Sequence, residues 1–160
     1  MSRIIRTQSL TAEAFAPFGD VLDTAQGPDR MINAGLCGRH HDRAQLDFGP
    51  DGRAGISIFD AQARSLPYDL ELIERHPEGS QAFLPMTQNP FLVIVATGPD
   101  NPPLAFVTAP GQGINIHRGT WHGVLTPLFA PGLFAVVDRI GLTPNLEEHH
   151  YPTPWRIISG

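Results

Sequence analysis

There is no lysine among the 160 residues; all eleven cationic side chains are arginine. This excludes Schiff-base chemistry on lysine, a pyridoxal-phosphate anchor and a P-loop lysine. Cysteine is nearly missing as well. Cys37 stands alone, so an internal disulfide or a thiolate metal cluster is excluded, in keeping with a reducing compartment. No apolar run approaches the roughly 20 residues that cross a bilayer, and MSRIIRTQSL lacks the apolar core of a secretory leader. The cytoplasm is the expected location. Positive charge is in deficit: the net charge of -5 leaves no basic footprint for nucleic acid.

What is present fits one globular domain over residues 1–160, with 41% hydrophobic and 17% charged side chains. An all-arginine cation set suits fixed carboxylates, because the guanidinium fork donates two parallel hydrogen bonds. Sixteen glycines and sixteen prolines, spread along the chain, read as turns between short strands. Thr11 caps a short helix through TAEAFAPFG, stopped by Pro17 and Gly19. YDLELIERH is compatible with a helical turn or a strand, and a strand is the expectation. GISIFDA, QAFLPM, FLVIVAT, LAFVTA, GINIH, HGVLTPL and GLFAVVDRI read as strands separated by NP, PDNPP, APGQG, RG and APG. FLVIVAT and LFAVV are nearly continuous in apolar residues, which predicts strands buried on both faces. The pattern predicts an all-β antiparallel sandwich or barrel with one or two short helices.

Two segments break the packing pattern. Glu74-Arg75-His76-Pro77-Glu78-Gly79-Ser80-Gln81 runs into AFLPM, and His117-Arg118-Gly119-Thr120-Trp121-His122 runs into GVLTPL. Each gathers ligand-capable side chains at a glycine-containing bend. His117 and His122 are an odd number apart and converge only if the chain bends between them. His117 also shares strand parity with Asn115, opposite Ile114 and Ile116. Gln81 shares parity with Phe83 and needs a buried partner on that apolar face. Bland alternatives stand beside each: a histidine at a turn is commonly a surface or capping group, and Arg118 or Arg139 can pair with surface acids. His40-His41 fit either a loop or a site. His149-His150, beside Glu147 and Glu148, are expected in a solvated tail.

The stretches INAGL with RHHD, LELIERHPEGSQAFLPM, GINIHRGTWHGVL and VVDRIG followed by Asn145 resemble the ureidoglycolate lyase family, and LTAEAFAPFGDVL matches too. The resemblance implies a cupin-like double-stranded β-helix, a homodimer, and cleavage of ureidoglycolate to glyoxylate and urea during allantoin degradation. It also implies a divalent metal, nickel among the candidates, with His76, Gln81 and His122 as the ligands within reach. Metal cupins carry His-x-His followed by an acid; here His76-Pro77-Glu78 is followed by Gln81, which predicts weak metal binding.

Under that resemblance His122 or His76 is the expected base, with Gln81 and Asn33 on the ureido group. Arg75, Arg118 or Arg39 holds the carboxylate, with His117 nearby, and Trp121 walls the pocket. Cleavage consumes no water, which suits a chain without a Ser-His-Asp or Cys-His signature. Two alternatives stay open at this point. A metal-dependent cupin isomerase, epimerase or dioxygenase would hold a stoichiometric metal; a non-catalytic cupin binding a small anion would be stabilised by ligand and release no product.

Overall fold

Thr11 does what its position predicts. Its backbone is extended and its hydroxyl accepts the Ala14 N–H, starting the one-turn helix α1 (Ala12–Phe15). The computed structural model describes residues 3–160, and among them everything else regular is β.

Seven strands form the larger sheet. They are β1 (Ile4–Ser9), β6 (Tyr68–Arg75), β8 (Phe91–Ala96), β9 (Leu104–Val107), β11 (Trp121–His122), β12 (Thr126–Pro127) and β14 (Glu147–Ile158). Their order is β11-β6-β14-β1-β9-β8-β12, and β11 also pairs with β8, so six of the strands close into a ring. The smaller sheet runs β2 (Gly19–Leu22), β10 (Gly113–Ile116), β7 (Gln81–Pro85), β13 (Gly132–Ile140), β5 (Arg53–Ala61). A separate hairpin joins β3 (Arg30–Ile32) to β4 (Cys37–Arg39). The fold is a closed β-barrel of cupin-like type, as the resemblance implies, but it is mixed where an antiparallel one is expected, because β1 runs parallel to both β14 and β9.

Alternation on β8 defines two cores. Val93 and Val95 meet Phe106 and the smaller sheet's Phe83, Ile114, Ile116, Phe134 and Val136, under Phe15 and Phe18. Leu92, Ile94 and Ala96 point the other way, to Leu70, Ile73, Ala105, Tyr151 and Ile157. Every residue of β8 is therefore buried, as a continuous apolar run requires.

Three expectations need correction. LFAVV is not buried on both faces: β13 alternates between buried and partly buried residues. HGVLTPL is not one strand. β11 ends at His122, Gly123 donates to the Ile94 carbonyl, and the Thr126 hydroxyl donates to Val124 before β12 begins. The expected tail is a strand, β14, the longest of those described, paired with β1 and β6, although Glu147, Glu148 and His150 on it are exposed as expected. His149, Tyr151, Trp155 and Ile157 share one parity and turn toward the second core, and a register shift between His150 and Trp155 accommodates Pro152 and Pro154.

Candidate active site

β6 and β11 lie side by side, with Glu74 opposite His122. His122 also faces Val95 across β8, so its side chain enters the space between the ring and the smaller sheet. Glu74 points the same way. His76, one residue beyond the end of β6, completes the group: its ring centroid lies 5.2 Å from that of His122, and its Nε2 is 3.9 Å from Glu74 Oε1. The ligand atoms of Glu74, His76 and His122 all lie within 4.8 Å of one another.

Both imidazoles are oriented by main-chain carbonyls. His76 Nδ1 is 2.8 Å from the Asn145 oxygen, and His122 Nδ1 is 2.9 Å from the Gly123 oxygen. A carbonyl only accepts, so each Nδ1 carries the hydrogen, and in the neutral ring each Nε2 holds a bare lone pair. Both Nε2 atoms are buried and unpartnered. Burial drives the His122 imidazole down to about 4; the Gly123 bond opposes this and His76 adds to it. His122 is thus neutral around pH ~7. Burial lifts the Glu74 carboxyl above its ordinary range, with His76 opposing and Glu148 assisting.

Gln81 opens β7 at the same end of the barrel. It shares a face with Phe83, lies abreast of Ile116 and Asp138, and is nearly buried. Its Nε2 donates to Asp138 Oδ2 at 3.2 Å, which leaves Oε1 buried without a partner.

The other sequence candidates go elsewhere. His117 follows Asn115 to the outer face, where its Nε2 donates to Asp20 at 3.0 Å beside an open cavity of about 440 Å³. Burial would raise the Asp20 carboxyl, but hydrogen bonds from Asn115, Gln45 and His117 bring it below its usual range. Arg118 donates from Nε to the Pro77 carbonyl at 2.7 Å and approaches Glu78 and Asp47, fastening one bend to the other. Arg75 pairs with Glu147 at 2.7 Å and lies over the Trp121 ring, which packs on the strand face opposite His122. Asn33, at a positive-φ turn, and Arg39 both belong to the exposed β3–β4 hairpin. Among the described residues, neither bonds to the two bends. Two groups at the site have no role in the sequence pattern alone: Glu74 and Asp138. The one sequence signal for Glu74 is its place in the polar run that leads into the first bend, two residues before His76.

The sequence model of the family described as ureidoglycolate lyase matches residues 2–158. The chain belongs to the ureidoglycolate lyase family. A protein of Rhodobacter capsulatus named ureidoglycolate lyase is 65% identical over 150 residues, covering 92% of this chain and 93% of that one. Ureidoglycolate lyase 2 of Rhizobium meliloti is 46% identical, covering 92% and 93%. The ureidoglycolate lyase of a Chelativorans species is 48% identical over 97% of this chain and 96% of its own. These relatives have nearly the same length, so the lyase family match includes both bends and the strands that hold them.

Proposed function

We propose that this chain is a carbon–nitrogen lyase that cleaves (S)-ureidoglycolate to glyoxylate and urea in the degradation of allantoin from purines. The observation that carries the reading is the trio Glu74, His76 and His122, with two shielded imidazole lone pairs beside a carboxylate. In the substrate one carbon bears a hydroxyl, a carboxylate and a ureido nitrogen. The hydroxyl loses its proton, its bonding pair becomes the new C=O, the C–N pair leaves on nitrogen, and that nitrogen takes up a proton. No water enters and no covalent intermediate is needed.

Two uses of the trio fit this chemistry. In the first, Glu74, His76 and His122 hold a divalent ion, nickel by family resemblance. Two imidazole nitrogens and a carboxylate oxygen are a suitable set, each Nδ1–H is already fixed by a carbonyl, and the orphaned Nε2 atoms gain a partner. When bound, such an ion supplies Lewis acidity to the oxygens of the substrate. Gln81, a ligand by the family resemblance, has its amide turned by Asp138 so that Oε1 is the free end. That oxygen can complete the set or accept a ureido N–H.

In the second use, no metal is required and His76 takes the hydroxyl proton on Nε2 and returns it to the leaving nitrogen. His76 suits this better than His122 because its side chain is 20% exposed at the rim of the trio. Its contribution would be roughly 10²–10⁴-fold. Elemental analysis of the purified protein, with activity measured after chelation and metal add-back, separates the two. The reading as a whole is tested by following glyoxylate and urea from racemic ureidoglycolate. Consumption stopping at half supports it, and absence of both products would defeat it.

A homodimer and a cytoplasmic location complete the proposal. The outer face of β5 and β13 carries Ile56 and Ile58, 75% and 59% exposed, with no charge between them. Cys37 is free and exposed, as a reducing compartment permits, and no helix is long and apolar enough to cross a membrane.

A further inference from the structure

We propose that Asn145 is a positioning residue for the reaction, fixing which nitrogen of His76 faces the trio. This rests on the reading of Glu74, His76 and His122 given above. His76 lies just past the end of β6, so sheet register no longer sets the direction of its ring. Other bonds do. Its Nδ1–H reaches the Asn145 main-chain oxygen at 2.8 Å, the Glu78 N–H reaches Asn145 Oδ1 at 2.7 Å, and the Gly119 N–H reaches the His76 carbonyl at 2.9 Å.

Asn145 accepts two of these bonds, from positions 69 and 67 residues away in the chain. It belongs to the connection between β13 and β14, and Glu147 just beyond it pairs with Arg75. The segment therefore straps the bend on both sides of His76. The division of labour within Asn145 is what matters. Its side-chain oxygen grips the Glu78 N–H, and this sets where its own carbonyl lies; the carbonyl then obliges His76 to carry hydrogen on Nδ1. Nε2 is left bare toward Glu74 and His122. Without the strap the ring can turn or exchange tautomers, and the nitrogen aimed at the site then presents a hydrogen to Glu74 and His122 in place of a lone pair.

The test is nitrogen NMR on histidine-labelled, chelator-treated protein, combined with steady-state kinetics. Wild type is expected to show His76 as the Nδ1–H tautomer. Asn145→Ala keeps the main-chain carbonyl but loses Oδ1. It is expected to move His76 toward the Nε2–H form and to lower kcat about tenfold or more, with KM held within about threefold. Asn145→Asp keeps an acceptor for Glu78 and should restore the tautomer and most of kcat. The proposal is overturned if Asn145→Ala retains the Nδ1–H form with kcat within about twofold of wild type. It also fails if Asn145→Asp is as impaired as Asn145→Ala. Should the alanine variant not fold, wild type alone decides, since a proton on Nε2 of His76 would refute the assignment. Failure of wild type to release glyoxylate would count against the lyase reading, while the tautomer would still report on Asn145.

Discussion

His122 has exchanged nearly all of its water for Val95, Glu74 and His76, and its proton affinity shows it. The folded protein declines a proton until about pH 4, whereas the unfolded chain accepts one near 6.5. Between those values the unfolded state binds more protons, so stability contributed by neutral His122 is present above pH ~6.5 and is lost as pH falls toward ~4. The loss is on the order of 3 kcal/mol. Glu74 acts with the opposite sign, because a carboxyl whose affinity is raised by burial favours the folded state as it protonates. Comparing metal-free wild type with His122→Asn between about pH 7 and 5 isolates the histidine: the slope of stability against pH should flatten in the variant. An equal slope would mean that His122 is not neutral in the folded protein. For chemistry, Glu74→Gln should cost at least about a hundredfold in kcat/KM and in nickel affinity, beyond what supporting residues lose. Retention of both would remove Glu74 from the trio. Either His76→Ala or His122→Ala should lower turnover more than about tenfold while leaving the protein folded.

The two bends show how far elements could be foreseen. Thr11 and its helix, the strand at β6 and the buried run of β8 follow from capping, length and apolar continuity. β13 looks the same as β8 in sequence, yet only β8 lies between two cores; burial on the second face depends on what packs there, which no local pattern encodes. β14 was hidden because histidines, glutamates and prolines interrupt its apolar residues, and its pairing with β1 and β6 joins the two ends of the chain. Parity placed Gln81 correctly toward the apolar interior and raised the outward course of His117. It could not pair Glu74 with His122, since that contact is made across strands far apart in sequence. The bends themselves can be probed at Gly119, which has φ +77 and open space around the place a Cβ would occupy. Gly119→Ala therefore tests backbone strain without a clash. It should cost about 1–2 kcal/mol, lowering Tm by a few degrees in a domain of this size. It should also reduce kcat, because the Gly119 N–H holds the His76 carbonyl. An unchanged Tm would show that this bend tolerates a different turn.

At the scale of the molecule, β11 pairs with β8 to close the ring of the larger sheet, but among the described residues β5 ends the smaller sheet with nine residues and no neighbour on its far side. Long unprotected edges with apolar outward side chains invite pairing with another strand. β5 is self-complementary in one register. An antiparallel partner centred on Ser57 sets Ile56 of each copy against Ile58 of the other. Ala135 and Leu84, abreast of Ile58, extend the apolar face inward from the edge. A two-fold dimer built this way would pack the exposed isoleucines of the two copies side by side and leave the trio of Glu74, His76 and His122 within each chain. The arrangement separates assembly from chemistry, and that separation can be measured. Sedimentation equilibrium should find wild type dimeric at micromolar concentration and Ile56→Asp with Ile58→Asp monomeric. The monomer should keep kcat within about threefold, because Glu74, His76 and His122 come together within one chain. A charged variant that stays dimeric would place the interface on another surface, and one that becomes an inactive, folded monomer would mean that the site is completed across it.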